Sequence, residues 1–245
     1  MAETEQDSDA PRMELSEEVA AVCLGLKVPQ SPFLNANRIQ RIEAARYEGQ
    51  EIQGALHVVQ ASDRVLEVGA GIGVVSGVVA LNAKPEKVLS FEANPALVPT
   101  IQMLHKINGL EGRIELRNQV LYAGEGRPET MPFYVHESYL GSSLIERKGR
   151  SAQTVDVPTA AMEEVIAELN PTVLIMDIEG GELALLEVMP LDPFRAIVIE
   201  FHPGAYEIAG MRRCKTILRD AGFQKVEEVS TRNVWTCVRG EGATP

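Results

Sequence analysis

From Arg64 onward the chain alternates short apolar runs with longer stretches of helical periodicity. Residues 65–68, 87–91, 113–116, 173–176 and 196–201 read as strands. Residues 74–82, 95–107, 182–189 and 206–221 read as helices. Apolar strands spaced by helices predict a parallel sheet covered on both faces. The last two strands, 224–229 and 233–238, are separated by a very short turn. They must form an antiparallel hairpin, because parallel neighbours need a long crossover. The predicted fold class is therefore α/β: Rossmann-like, with a mostly parallel seven-stranded sheet and a C-terminal antiparallel hairpin.

Upstream of this region the pattern is helical. It runs over residues 15–26 and breaks at Pro29 and Pro32. Between residues 37 and 59, Ile39, Ile42, Ala45, Tyr47, Ile52, Ala55 and Val58 recur at roughly helical spacing, predicting one long helix. Residues 1–12 carry acids, Ser and Pro and read as a disordered acidic tail. The expected organisation is this tail, N-terminal helices over 13–60 and a sheet domain over 61–240. Residues 120–157 are rich in Gly, Ser and Arg and break the alternation. They read as an insertion over the top of the sheet, with strand-like pieces at 131–135 and 154–157.

Composition narrows the function. The chain has 245 residues, within reach of one large domain, and a net charge of −12. That charge repels a phosphate backbone, so no nucleic acid partner is expected. The short basic runs Arg147, Lys148, Arg150 and Arg212, Arg213, Lys215 read as solvated surface. No stretch of 18 apolar residues occurs and the N-terminus lacks a basic and apolar leader. A cytoplasmic protein with no membrane partner is expected. Cys23, Cys214 and Cys237 are odd in number and far apart, which points to buried thiols rather than disulfides or zinc.

The chemistry gathers at strand ends. Glu67-Val-Gly69-Ala70-Gly71-Ile-Gly73 follows an apolar strand and opens a helix. Such glycines let a ligand lie against the backbone and under the helix N-terminus. The dinucleotide fingerprint GxGxxG needs a glycine at 74, where this chain has Val74. The observed GxGxG spacing, with Glu67 two residues ahead, resembles motif I of class I methyltransferases that use S-adenosylmethionine (SAM), and that resemblance favours SAM over a nicotinamide cofactor. Glu67 is expected to hold the cationic methionine part. Glu92, 19 residues after Gly73 and followed by Ala93 and Asn94, is placed to accept the ribose hydroxyls. Asn118 and Gln119 fall where adenine would lie. Tyr47 and Glu48, in Arg46-Tyr-Glu-Gly-Gln-Glu51, are placed to close over the methionine end.

Asp177-Ile-Glu179-Gly-Gly-Glu182 ends the fourth strand, and Glu200-Phe-His202 ends the fifth. Acids at the ligand-facing end of a buried sheet are costly unless used. Asp177 or His202 is the candidate base, with Glu179 and Glu200 orienting the acceptor. Glu182 reads equally well as a helix-capping acid. A divalent cation on Asp177 and Glu200 is the alternative route to activating a hydroxyl. Ser142 and Ser143 are candidates for the acceptor pocket.

These stretches (VLEVGAGIGVVS, FEANP, DIEGGE and VIEFHP) together resemble the FkbM family of SAM-dependent methyltransferases over roughly residues 45–205. DIEGGE is similar to the family's DxEGxE signature. Gly141-Ser-Ser-Leu144, then TVDVPT and a helix, follow the family order. One departure is Ala160-Ala161, where the family commonly has Leu-Asp. The resemblance implies a class I methyltransferase fold and methyl transfer to a hydroxyl oxygen of a small molecule, a sugar or natural product. A SAM-binding regulatory or partner protein without methyl transfer is the alternative.

Overall fold

A computed structural model describes residues 14–136, 143–144 and 152–240. The predicted acidic tail and the Arg147–Arg150 basic run lie outside the described residues.

The main sheet has seven strands. They are β3 (Arg64–Val68), β4 (Lys87–Phe91), β5 (Ile114–Arg117), β9 (Val173–Met176), β10 (Ala196–Glu200), β11 (Phe223–Lys225) and β12 (Val234–Arg239), in the order β11-β12-β10-β9-β3-β4-β5. All neighbours are parallel except β12, which is antiparallel to both β10 and β11. The mostly parallel Rossmann-like sheet with an antiparallel C-terminal pair matches expectation. The strand order reverses between β3 and β9, and a crevice opens at such a switch point.

Alternation along the buried strands feeds two cores. Val65, Val88, Val173, Ile175 and Val198 face α2 (Gly49–Val58), α3 (Val74–Asn82) and α4 (Val98–Asn108). Leu66, Leu89, Leu174, Ile197 and Ile199 face α5 (Met162–Leu169), α6 (Glu182–Leu186) and α7 (Pro203–Asp220). Cys23, Cys214 and Cys237 are buried free thiols.

Four expectations need correction. Residues 15–26 are not helical. They enter a hairpin of β1 (Val19–Cys23) and β2 (Leu26–Pro29) around Leu24 and Gly25, both at positive φ. Ala21 and Cys23 are buried with Val22 exposed between them, an alternation that begins only after a register shift between Val19 and Ala21 and that a short apolar run hides. The long helix over 37–59 is instead α1 (Ala36–Glu43) and α2, broken where Ala45 and Glu48 take positive φ. The last hairpin is not tight. Glu227–Val229 forms a 3₁₀ turn, so β11 ends at Lys225. Finally, the described part of 120–157 belongs to a second sheet. Here β8 (Gln153–Ala161) pairs in parallel with β6 (Val120–Tyr122) and antiparallel with β7 (Thr130–Val135).

Candidate active site

Two pockets meet at the C-terminal ends of β3, β4, β9 and β10. The first, about 790 Å³ and open to solvent, lies over the glycine loop. Gly69 and Gly71 form its floor, and Phe91, Glu92, Ala93 and Asn94 continue it along the end of β4. Phe133 of β7 and Leu144 close it from the second sheet. Only glycine fits at 69: φ is +92°, and a Cβ there would sit 1.7 Å from the Asp177 carbonyl oxygen. The loop is thereby pressed onto the end of β9, which brings Asp177 to the pocket edge.

Glu92 is where the sequence placed it. Its carboxylate accepts the Gly71 N–H at 2.9 Å and the Asn94 N–H at 2.7 Å, and it still faces the pocket. Burial pushes it up to about 7.

Other predicted donor-site residues have different work. Glu67 does not line either pocket. In β3 it sits opposite Ser90 of β4, on the face under α3. There it accepts the Ser76 N–H at 2.9 Å and the Ser90 hydroxyl, capping the helix from below. Burial raises it to about 7. This placement does not fit the role expected of it, holding the methionine part. Ala70 is buried, its N–H tied to the Phe91 carbonyl, and Gly73 packs against Ile101. Asn118 donates to the carbonyls of Glu92 and Ala93, so it pins the loop that Glu92 sits on, while Gln119 reaches the pocket. Ser142 lies outside the described residues. Ser143 is buried, with its backbone bonded to Tyr134.

The second pocket, about 1080 Å³ including open solvent, shares Glu48, Asp177 and Glu179 with the first. Glu200, His202, Glu51 and Tyr47 line the rest of its inner wall, and Thr231 and Asn233 one rim. Tyr47 lines this pocket, and its hydroxyl and the Glu48 carboxylate both lie beside Gly71 of the glycine loop. The carboxyls here crowd one another. Burial, then Glu200 and Glu179, pushes Asp177 well above the usual carboxylate range, and burial with Glu51 does the same to Glu48. Burial and Glu51 bring Glu200 to about 7. Glu51 and Glu200 line the same wall, and Glu51 is the neighbouring charge that raises Glu200 most. Asp177 Oδ1 and Glu48 Oε2 are buried and accept no hydrogen bond. Glu48 and Glu179 also hold left-handed backbone, φ 48° and 55°, a strain that clusters at working sites.

His202 is oriented from behind. Its Nδ1 lies 2.8 Å from Oε1 of Glu182, which is fully buried and also accepts the Gly180 N–H at 3.0 Å. Nδ1 therefore carries the proton, and Nε2 faces Asp177 Oδ1 at 3.7 Å and Glu179 Oε2 at 3.5 Å. Burial opposes charging of the ring, but Glu182 and Glu179 outweigh it, and the imidazole is shifted upward. Glu182 stands in the first turn of its helix without a side-chain cap bond to it; its carboxylate ties in the Gly180 loop and positions His202. Donor atoms of Asp177, Glu200 and His202 lie within 4.8 Å of one another, close enough to share a cation.

Sequence reasoning missed Glu51 and the positioning role of Glu182. Their signal was present. Glu48 and Glu51 precede Ala55 and Val58 at helical spacing, so acids stand on the buried face of α2.

The chain matches the Methyltransferase FkbM domain over residues 67–225. It belongs to the FkbM methyltransferase family. The match spans both the glycine loop and the DIEGGE and VIEFHP segments that build the two pockets. No curated protein matches significantly. Among solved structures, P. horikoshii TYW2 in complex with MeSAdo is 14% identical, with TM-score 0.47, covering 94% of this chain and 70% of that one. M. jannaschii TYW2 in complex with AdoMet is 15% identical, with TM-score 0.43, covering 94% and 84%. Precorrin-6y C5,15-methyltransferase from Geobacter metallireducens GS-15 is 14% identical, with TM-score 0.43, covering 79% and 87%. Likenesses this distant carry no weight for substrate. No helix among the described residues of this FkbM chain is long and apolar enough to cross a membrane.

Proposed function

We propose that the chain is a SAM-dependent O-methyltransferase. In this reading the first pocket takes SAM and the second a small hydroxyl compound, a sugar or natural product. The observation that carries this reading is the junction. Two buried oxygens that accept no hydrogen bond, Asp177 Oδ1 and Glu48 Oε2, stand on the wall common to both pockets, and Asp177 Oδ1 also faces His202 Nε2 at 3.7 Å.

The residues present fit SAM. Gly69 and Gly71 line the first pocket, and Glu92 presents a carboxylate where ribose hydroxyls would donate. Glu48 Oε2 is a buried acceptor that lacks a donor, which a cationic amino acid moiety would satisfy. Bound SAM supplies an electrophilic methyl group on a sulfonium. The protein's own task is alignment and proton removal. Glu179 and Glu200 orient the acceptor hydroxyl, and Asp177 or His202 Nε2 takes its proton as the oxygen attacks. Glu182 holds the ring for that transfer. Base assistance of this kind contributes about 10²–10⁴-fold.

The test is S-adenosylhomocysteine formation with a panel of hydroxyl acceptors, in parallel with calorimetry of SAM. His202→Ala should lower turnover by about 10²–10⁴-fold with SAM affinity retained. SAM binding with no product from any acceptor would instead favour a SAM-binding regulatory protein. A second reading has its own observation in the convergence of Asp177, Glu200 and His202. A divalent cation held there would polarise the hydroxyl. Turnover that is lost in EDTA and restored by Mg²⁺ selects it; turnover indifferent to EDTA excludes it.

A further inference from the structure

The basic run Arg212, Arg213, Lys215 reads in sequence as solvated surface. Arg212 and Arg213 are exposed, but Lys215 is half-buried. Lys215 and Arg219, one turn apart on α7, reach Trp235 of β12. Lys215 Nζ lies 4.7 Å from the indole centroid and 5.0 Å from that of Phe201, and the Arg219 guanidinium lies 4.9 Å from the indole. Lys225, on the neighbouring strand β11, brings its Nζ to 5.6 Å of the same ring. Lys215 also donates to the Arg232 carbonyl at 2.7 Å, which ties in the loop before β12.

One ring attracts a cation by about 0.5–2 kcal/mol, but the cations around it repel each other. Burial holds the Lys215 ammonium below its ordinary value, and the charges of Lys225, Arg219 and Arg232 add to that depression. Glu227 pairs with Lys225 at 2.6 Å but is 81% exposed, so its charge is screened. Lys215, Arg219 and Lys225 thus gather on one ring, with Arg232 on the adjoining exposed loop, a local concentration of positive charge in a chain of net charge −12.

Its position gives it a purpose. Thr231 and Asn233, which flank Arg232, line the second pocket, and Phe201 beneath Lys215 directly precedes His202. The cation cluster and the acceptor pocket are two sides of one loop. We propose that Lys215, Arg219, Lys225 and Arg232 form a subsite for a phosphate group carried by the acceptor, outward from its reacting hydroxyl. The link to the acceptor rests on reading the second pocket as the acceptor site; the anion binding does not.

Trp235 is the chain's one tryptophan and reports the subsite directly. Inorganic pyrophosphate, titrated into the full chain without SAM, should change its fluorescence saturably, and added salt should weaken the response. Glucose 6-phosphate should displace pyrophosphate, and glucose should not. Arg219→Gln combined with Lys225→Gln should weaken pyrophosphate binding at least about tenfold. Arg232→Gln, on an exposed loop, should weaken it by a smaller factor, with SAM affinity unchanged in both. No saturable response, or the same affinity in both variants, overturns the proposal. A short RNA that outcompetes pyrophosphate at physiological salt overturns it in favour of a nucleic acid surface. Pyrophosphate binding that persists while phosphorylated and plain acceptors are methylated equally overturns the link to the acceptor.

Discussion

The two pockets differ in how their acids are satisfied. In the donor pocket, Glu92 takes two backbone N–H groups; behind it, Glu67 takes an N–H and a hydroxyl. Each is held by fixed donors of the fold. In the second pocket, Glu51 and Glu200 crowd each other, and Asp177 Oδ1 and Glu48 Oε2, which both pockets share, accept no hydrogen bond. The far side of the first pocket is held by the fold's own donors; the wall it shares with the second is completed by a proton or a ligand. A scaffold that binds a constant cofactor can be built from backbone donors. A site that must move a proton needs acids close to their transition, and Glu200 at about 7 is one.

The comparison breaks most severely at Gly69, where the two regions touch. Gly69→Ala puts a methyl group into the Asp177 carbonyl at a positive φ. It should cost well over about 2 kcal/mol of stability and abolish SAM binding, as read by thermal melting and calorimetry. A variant that melts and binds normally would mean the loop does not rest on β9. Glu92→Gln should act on the donor side alone. SAM affinity should fall at least about tenfold, as expected when a charged hydrogen-bond acceptor is lost, while turnover at saturating SAM falls little.

How far the chain could be read in advance follows the same division. The parallel strands were legible because they are continuous apolar runs ending in glycine or acid, and Glu92, Asp177 and His202 were legible because chemistry concentrates at those ends. The first hairpin was not, since Val19–Cys23 is too short and too apolar to separate a period of two from a helical one. The break between α1 and α2 was hidden because Ala45 and Glu48 carry no sequence mark of positive φ. Glu67 was misassigned for a tertiary reason: its register opposite Ser90 turns it under α3 rather than into the crevice.

Two smaller effects sharpen the contrast through pH. Glu200 is raised by burial and then by Glu51, so Glu51→Gln removes a neighbouring negative charge and lowers it. The acid limb of the pH–rate profile should then move to lower pH; an unmoved limb would detach Glu200 from the chemistry. Glu67 affects stability only. Its folded value of about 7 lies above the ordinary 4.5, so its contribution is full below 4.5 and lost as pH rises through about 7. Glu67→Gln, which stays neutral, should flatten the fall in melting temperature between pH 5 and 8 by a small margin, with a scan at each pH as the check.

The most direct measurement concerns Asp177, which belongs to both pockets. Asp177→Asn keeps the size of the side chain and removes its charge. SAM affinity by calorimetry and single-turnover formation of S-adenosylhomocysteine should be measured on the same preparation. The account predicts SAM affinity within about tenfold of the parent and turnover reduced by about 10²–10⁴-fold. Near-normal turnover, or loss of SAM binding with the chemical step intact, would contradict it.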